Sequence, residues 1–215
     1  FANNIGLFTS ECPYYFLSAD YVNKDGRYKS GNIIFSKYPI IDSGKTKYPG
    51  MPVASVIFAD ILKGNDTVRI FTTHLQSFQF MAGDYADIEK IKERSEDALE
   101  ATEKVSAKMK VAFEKRSAQA NIVKSVTEKC KLPSIICGDF NDVPNSYVYQ
   151  HIRGSRQDAF LATSFGIGRS FNALAPTLRI DYMLPDEHFE IHQFDMIDEG
   201  LSDHHLLLSD VSLKK

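Results

Sequence analysis

The 215-residue chain has no tryptophan and only three cysteines, Cys12, Cys130 and Cys137. The cysteines are odd in number, form no CxxC pair and sit far apart or in unlike surroundings. That argues against a disulfide framework or a zinc knuckle. Cys137 lies in an apolar run and reads as a small core residue. Neither sign of charge dominates: 25 Lys and Arg against 28 Asp and Glu give a formal net charge of -3. Bulk attraction to nucleic acid or an anionic membrane is therefore weak, although a local basic pocket is still permitted. No apolar run approaches the length of a membrane span, and no signal peptide is visible. The 43% hydrophobic and 25% charged content is ordinary for a globular protein, and the length suffices for one large domain with a sizeable core. The chain opens on Phe1 rather than Met. We expect it to be a piece of a longer protein whose upstream part, a targeting or membrane segment included, is hidden.

Glycine and proline are missing between Gly83 and Pro133. Within that span apolar residues recur three or four apart, at Ile88, Ile91, Ala98, Val105, Met109, Ala112 and Phe113, and again at Ile122, Val123 and Val126. This is a helical stripe. Unbroken, it would run about 70 Å at 1.5 Å per residue, against a domain about 45 Å across. The spacing thus predicts a helical hairpin over about 84–129, with the break in 106–117. The charge run KIKERSEDALEATEK (90–104) reads as a solvated helix face.

Outside that stretch the chain reads as strands. YYFLSADYV (14–22), NIIFSKYPI (32–40), PVASVIFADIL (52–62) and TVRIFTTHL (67–75) are rich in β-branched and aromatic residues, and NKDG, YPGMP and KGND supply turns between them. KGND (63–66) predicts a hairpin. Strands return at 133–137, 178–184, 189–197 and 205–213, with a short helix over 145–153 capped by Asn145. The simplest architecture is one α+β domain spanning 1–215.

Four apolar segments carry the polar chemistry: IFTTHLQS (70–77), IICGDFND (135–142), LRIDYML (178–184) and GLSDHHLLL (200–208). In three of them the polar group is expected at the C-terminal end of the strand, where a rigid sheet can present it. Asp181 sits inside its apolar run, and an inward carboxylate there needs a partner: a histidine, Arg179 or a backbone amide. Taken singly, each feature has a plainer account. His74 could be a satisfied histidine at a strand end, Asp139 and Asn141 an Asx-type turn, and Asp203 with His204 a strand-start cap. Arg116 is either a helix-surface charge or a side chain facing a site. His205 alternates to the face opposite His204 and reads as structural.

Taken together, THL (73–75), GDFN (138–141), RIDY (179–182) and SDHH (202–205), in that order, resemble the endonuclease/exonuclease/phosphatase superfamily. That is the DNase I-like group, which includes abasic-site endonucleases, inositol polyphosphate 5-phosphatases and neutral sphingomyelinases. SGNIIFSKYPI (30–40) is similar to its strand ending in Ser-Arg/Lys-x-Pro-Ile. The resemblance implies a four-layer α/β/β/α sandwich, with two mixed β-sheets face to face and helices outside. It also implies metal-dependent hydrolysis of a phosphodiester or phosphomonoester by in-line attack of an activated water. On that basis Asp139 orients or deprotonates the water and touches the metal, and Asn141 donates to the scissile phosphate. Asp203 is a metal ligand, and His204 contacts the phosphate, oriented by Asp181. His74 contacts the phosphate or the leaving oxygen. All-oxygen ligation favours Mg²⁺ or Mn²⁺.

Substrate candidates are a nucleic acid, an inositol phosphate or a phospholipid head group. No Lys/Arg cluster stands out for a nuclease groove. A monomer without an obligate protein partner is the expectation, and no compartment is legible. Ser170, Phe171 and Asn172 fall where family members carry an aromatic substrate contact. The family's metal-binding Glu, usually in a Gln-Glu pair on an earlier strand, has no match here, nor does its first-strand Asn. An N-terminal strand–helix–strand portion is expected upstream. The rival function is a noncatalytic binding module on the same fold.

Overall fold

The computed structural model describes residues 2–172 and 178–214, with side chains for all of these except 2–4 and 51–53. In chain order the elements are α1 (Ala2–Phe8), β1 (Tyr14–Leu17), β2 (Tyr21–Val22), β3 (Lys29–Ser30), β4 (Ile33–Ser36), β5 (Ile40–Tyr48), β6 (Met51–Lys63), β7 (Asp66–His74), α2 (Ala82–Glu93) and α3 (Ala98–Thr127). There follow β8 (Ser134–Asp139), α4 (Tyr147–Arg153), α5 (Ala159–Thr163), β9 (Asp181–Pro185), β10 (Phe189–Ile197) and β11 (Leu206–Leu213).

A five-stranded sheet in the order β5-β6-β7-β8-β9 organises the molecule. KGND forms the expected hairpin: Lys63 pairs with Asp66, and Gly64 takes a φ of 66° at the tip, a conformation suited to glycine. β8 joins β7 in parallel, across the helical segment, while the other pairings are antiparallel. β5 went unread in the sequence because IDSGKTKY alternates weakly and most of it is exposed.

Strand alternation sends neighbouring residues to opposite faces. Val56, Phe71, Ile136 and Leu184 pack against Ala120 and Val123 of α3 and against α4. Ile57 and Ala59 face the other way, onto Ile34 and Phe16 of the β1–β4 ladder. Met183 points to the same side and meets the β10–β11 ladder and α5. Beyond the first ladder Phe8 of α1 stacks on Phe35, ring centroids 5.1 Å apart. The layers therefore run helix, sheet, sheet, helix, the second sheet layer being made of antiparallel ladders among the described residues.

Several local expectations change. The strand over 14–22 is two strands, split where Ala19 adopts a φ of 44°. The helical hairpin breaks at 94–97 rather than in 106–117. Arg94 closes α2 in the left-handed conformation, and Asp97 opens α3. α3 then continues for 30 residues, about 45 Å. Its length is sustained because Lys108 pairs with Asp84 of α2 while its C-terminal half buries Ala120 and Val123 on the sheet. α4 is capped by Ser146, whose side chain accepts from the Tyr149 N–H, rather than by Asn145. Among the described residues no helix is long and apolar enough to cross a membrane.

Candidate active site

Strand register assembles the site. In the parallel β7–β8 pair His74 lies opposite Asp139, and in the antiparallel β8–β9 pair Asp139 lies opposite Asp181. Three side chains thus form one row across three adjacent strands at one end of the sheet. Asp181 is the first residue of β9 rather than an interior one, and Ser202 to His205 precede β11 rather than follow a strand. Because β8 and β9 run in opposite directions, the end of one strand meets the start of the other at the same edge. Gly138 permits the approach: with a φ of 152°, a Cβ there would lie 2.0 Å from the Thr73 carbonyl oxygen, so no side chain fits.

After Asp139 the chain turns sharply. Asn141 adopts a φ of 51°, a left-handed backbone that folds it back on Asp139. Its N–H donates to Asp139 Oδ1 at 2.7 Å, and its Nδ2 donates to Asp139 Oδ2 at 2.9 Å and to the Leu75 carbonyl at 3.0 Å. The Asx-type turn and the site are thus one structure, the turn holding the carboxylate and the amide together. His74 Nε2 stands 3.5 Å from Asp139 Oδ2. His204 Nδ1 bonds Asp181 Oδ2 at 2.9 Å, so Asp181 is paired with the histidine while Arg179 pairs with Asp158. The fully buried Ser170 donates its hydroxyl to Asp181 Oδ2 at 2.8 Å and accepts the N–H groups of Ile180 and Asp181. Its backbone carbonyl accepts the His205 N–H. Ser170 ties three segments of the site together, a role its sequence position does not signal.

Arg116 is not a surface charge. It is fully buried, donates from Nε to Asp142 Oδ2 at 3.1 Å and from Nη1 to the Gln76 carbonyl at 2.8 Å, and anchors the turn from below. Phe171 pairs with His204 in an isolated bridge, ring centroids 4.7 Å apart. His205 turns away, to Asn172 Oδ1 at 3.1 Å and Asp198 Oδ2 at 3.4 Å. Asp203 is exposed beside His204, and its side chain lies outside the acid–imidazole group described next.

Among the described residues, Asp139, Asp181 and His204 offer ligand atoms within 4.8 Å of one another. Burial, and then the neighbouring Asp181 carboxylate, push Asp139 up to about 7. Burial also raises Asp181, against the pull of its hydrogen bond to His204. The two imidazoles diverge. Partial desolvation lowers His74, whose side chain is still 60% exposed, and the charge of His204 adds to that. Burial acts to lower His204 as well, but the hydrogen bond and charge of Asp181, with Asp139 and Asp203, outweigh it and leave His204 raised. A divalent cation beside Asp139 would favour its ionised form against the burial and the Asp181 charge that raise it, and its carboxylate oxygens suit a hard cation.

A sheet flanked by helices and ladders, with an acid–imidazole row at one end, defines a DNase I-like hydrolase scaffold. The Endonuclease/Exonuclease/phosphatase family model matches residues 2–204, and the chain belongs to that family, whose members hydrolyse phosphate esters. Among solved structures, an endonuclease/exonuclease/phosphatase from Beutenbergia cavernae superposes with a TM-score of 0.67 at 18% identity, over 99% of this chain and 57% of that one. The chain thus spans little more than half the length of that relative. A mannosyl-6-phosphatase from Bacteroides thetaiotaomicron superposes at a TM-score of 0.61 and 15% identity, over 99% of this chain and 82% of that one. Sphingomyelinase C from Streptomyces griseocarneus follows at 0.55 and 16%, over 97% and 77%. No curated protein sequence matches.

Proposed function

We propose that the protein is a metal-dependent phosphoesterase that hydrolyses a phosphate ester by in-line attack of water. The observation that carries this reading is the row His74–Asp139–Asp181 with His204 anchored to it through Asp181, while His74 stays largely exposed. Divergent environments for like groups are how one site divides proton acceptance from charge stabilisation. Asp139, helped by Asp203, holds a Mg²⁺ or Mn²⁺ ion, which when bound neutralises charge on the phosphoryl oxygens. Asp139 also orients the attacking water and takes its proton. His204, with Nδ1 occupied by Asp181, turns Nε2 to a nonbridging oxygen as a cation. Asn141 Nδ2, whose two hydrogens go to Asp139 and the Leu75 carbonyl, would exchange the bond to Asp139 for one to a phosphoryl oxygen when substrate binds, and His74 would contact the leaving oxygen.

The test is hydrolysis of bis-p-nitrophenyl phosphate with Mg²⁺, Mn²⁺ or chelator, for the protein and for its Asp139→Ala and His204→Ala variants. Turnover that needs the metal and falls about 10³-fold in each variant supports the assignment. Turnover within about tenfold of the parent in either variant overturns it. Phosphate-ester binding without turnover would favour the noncatalytic module.

A further inference from the structure

Beside the row opens a cavity of about 370 Å³ whose walls are mostly apolar, with five aromatic rings among them. Phe78 and Phe80 stack at 5.1 Å and 14°. Phe113 of α3 meets Phe78 edge-on at 5.6 Å, and Tyr85 of α2 meets Phe80 at 6.0 Å and 78°. Met109, Phe171 and three aliphatic side chains complete the apolar lining, and Asn141 and Asp142 are among its polar members. The cavity and the phosphoryl site share a wall, because Asn141 also bonds Asp139 and the Phe171 ring rests against His204. A group in the cavity and a group on the row can therefore belong to one molecule. The rings are preset: the buried Arg116 guanidinium lies 4.5 Å from the Phe78 centroid and 4.8 Å from that of Phe113, with its charge matched by Asp142. No lysine or arginine lines the cavity among the described residues, so a second phosphate finds no cation there. Its size and apolar walls are those of a small-molecule subsite.

We infer that this cavity takes a flat, uncharged ring carried by the phosphate ester, so that Phe78, Phe80, Tyr85, Met109 and Phe113 select the organic half of the substrate. The inference rests on the proposed function, since it places a phosphoryl group on the adjoining row. It separates esters of aromatic rings from polyanions such as an inositol polyphosphate, and it assigns a purpose to the segment that joins β7 to the helical hairpin. Aromatic walls met edge-on and face-on favour a ring over a flexible chain of equal carbon count.

The test uses phosphonates, which carry a C–P bond and need no turnover. Phenylphosphonate, methylphosphonate and n-hexylphosphonate are titrated into methionine-methyl-labelled protein with Mg²⁺ present, followed by NMR. Phenylphosphonate is expected to bind about 10- to 100-fold tighter than methylphosphonate and to shift the Met109 methyl. Phe80→Ala should bring that affinity ratio towards one. Equal affinities, or an unmoved Met109 methyl under saturating phenylphosphonate, overturn the cavity assignment while leaving the phosphoryl site standing. A gain for n-hexylphosphonate equal to that for phenylphosphonate overturns the ring. Failure of all three to bind overturns the site and the cavity together.

Discussion

Arg116 and Asp142 form an ion pair with almost no access to water, at 0% and 6% side-chain exposure. Replacing Arg116 with Met keeps the length and apolar bulk of the side chain and removes the charge. Among the described residues Asp142 then keeps only the Val143 N–H, 3.0 Å from its Oδ1, and the Gln76 carbonyl loses its donor at 2.8 Å. Breaking a buried pair from one side costs about 3–5 kcal/mol. One guanidinium nitrogen, Nη2, already lacks a partner among the described residues, and losing that unmet donor offsets part of the cost. We therefore expect about 3 kcal/mol, which for a chain of this length lowers Tm by roughly 6–12 °C. Adding Asp142→Asn removes the stranded carboxylate, and the double variant should recover about 2 kcal/mol of that loss. Urea unfolding followed by far-UV circular dichroism on the parent, both single variants and the double variant measures each leg. An Arg116→Met variant within about 0.5 kcal/mol of the parent, or a double variant no more stable than Arg116→Met, would refute the reasoning that this pair anchors the turn.

Gly138→Ala puts a methyl group 2.0 Å from the Thr73 carbonyl oxygen at a φ of 152°, whereas Gly64→Ala at the hairpin tip meets only open space. The first should cost at least about 3 kcal/mol and the second about 1 kcal/mol, and equal urea midpoints for the two would contradict the close β7–β8 approach. A second prediction concerns pH in the metal-free protein. With Asp139 moved from 3.8 to about 7, the folded state binds more protons than the unfolded chain between those values. Stability therefore falls as pH rises through that window. Asp139→Asn should flatten the decline in Tm, and Mg²⁺ should raise Tm more near pH 8 than near pH 5; an unchanged slope in the variant would count against the buried carboxylate.

Some of this was written in the order of residues. Alternation and turn chemistry placed β6, β7, β8, β10 and β11 close to their observed bounds, because both are local properties of a pleated backbone. The motifs singled out His74, Asp139, Asn141, Asp181 and His204, which strand register and local hydrogen bonds bring to one end of the sheet. The helix break was harder. Arg94 is left-handed without being glycine, and only the Ser95–Asp97 run of cap-type residues hinted at it.

The sequence by itself determined which polar and titratable residues accompany the apolar runs and which faces of the strands are apolar, since periodicity and residue type are local properties of the chain. Tertiary structure alone decided that Arg116 leaves its helix face for the interior, that Ser170 binds Asp181, that Asn141 turns left-handed to bind Asp139, and that a ring-lined cavity opens beside the row. Each of these depends on pairings between residues 10 or more positions apart, such as Arg116 with Asp142 at a separation of 26 and Ser170 with Asp181 at 11, or on a backbone dihedral that neighbouring residue types leave open. Their energies come from burial that exists only once the layers have packed.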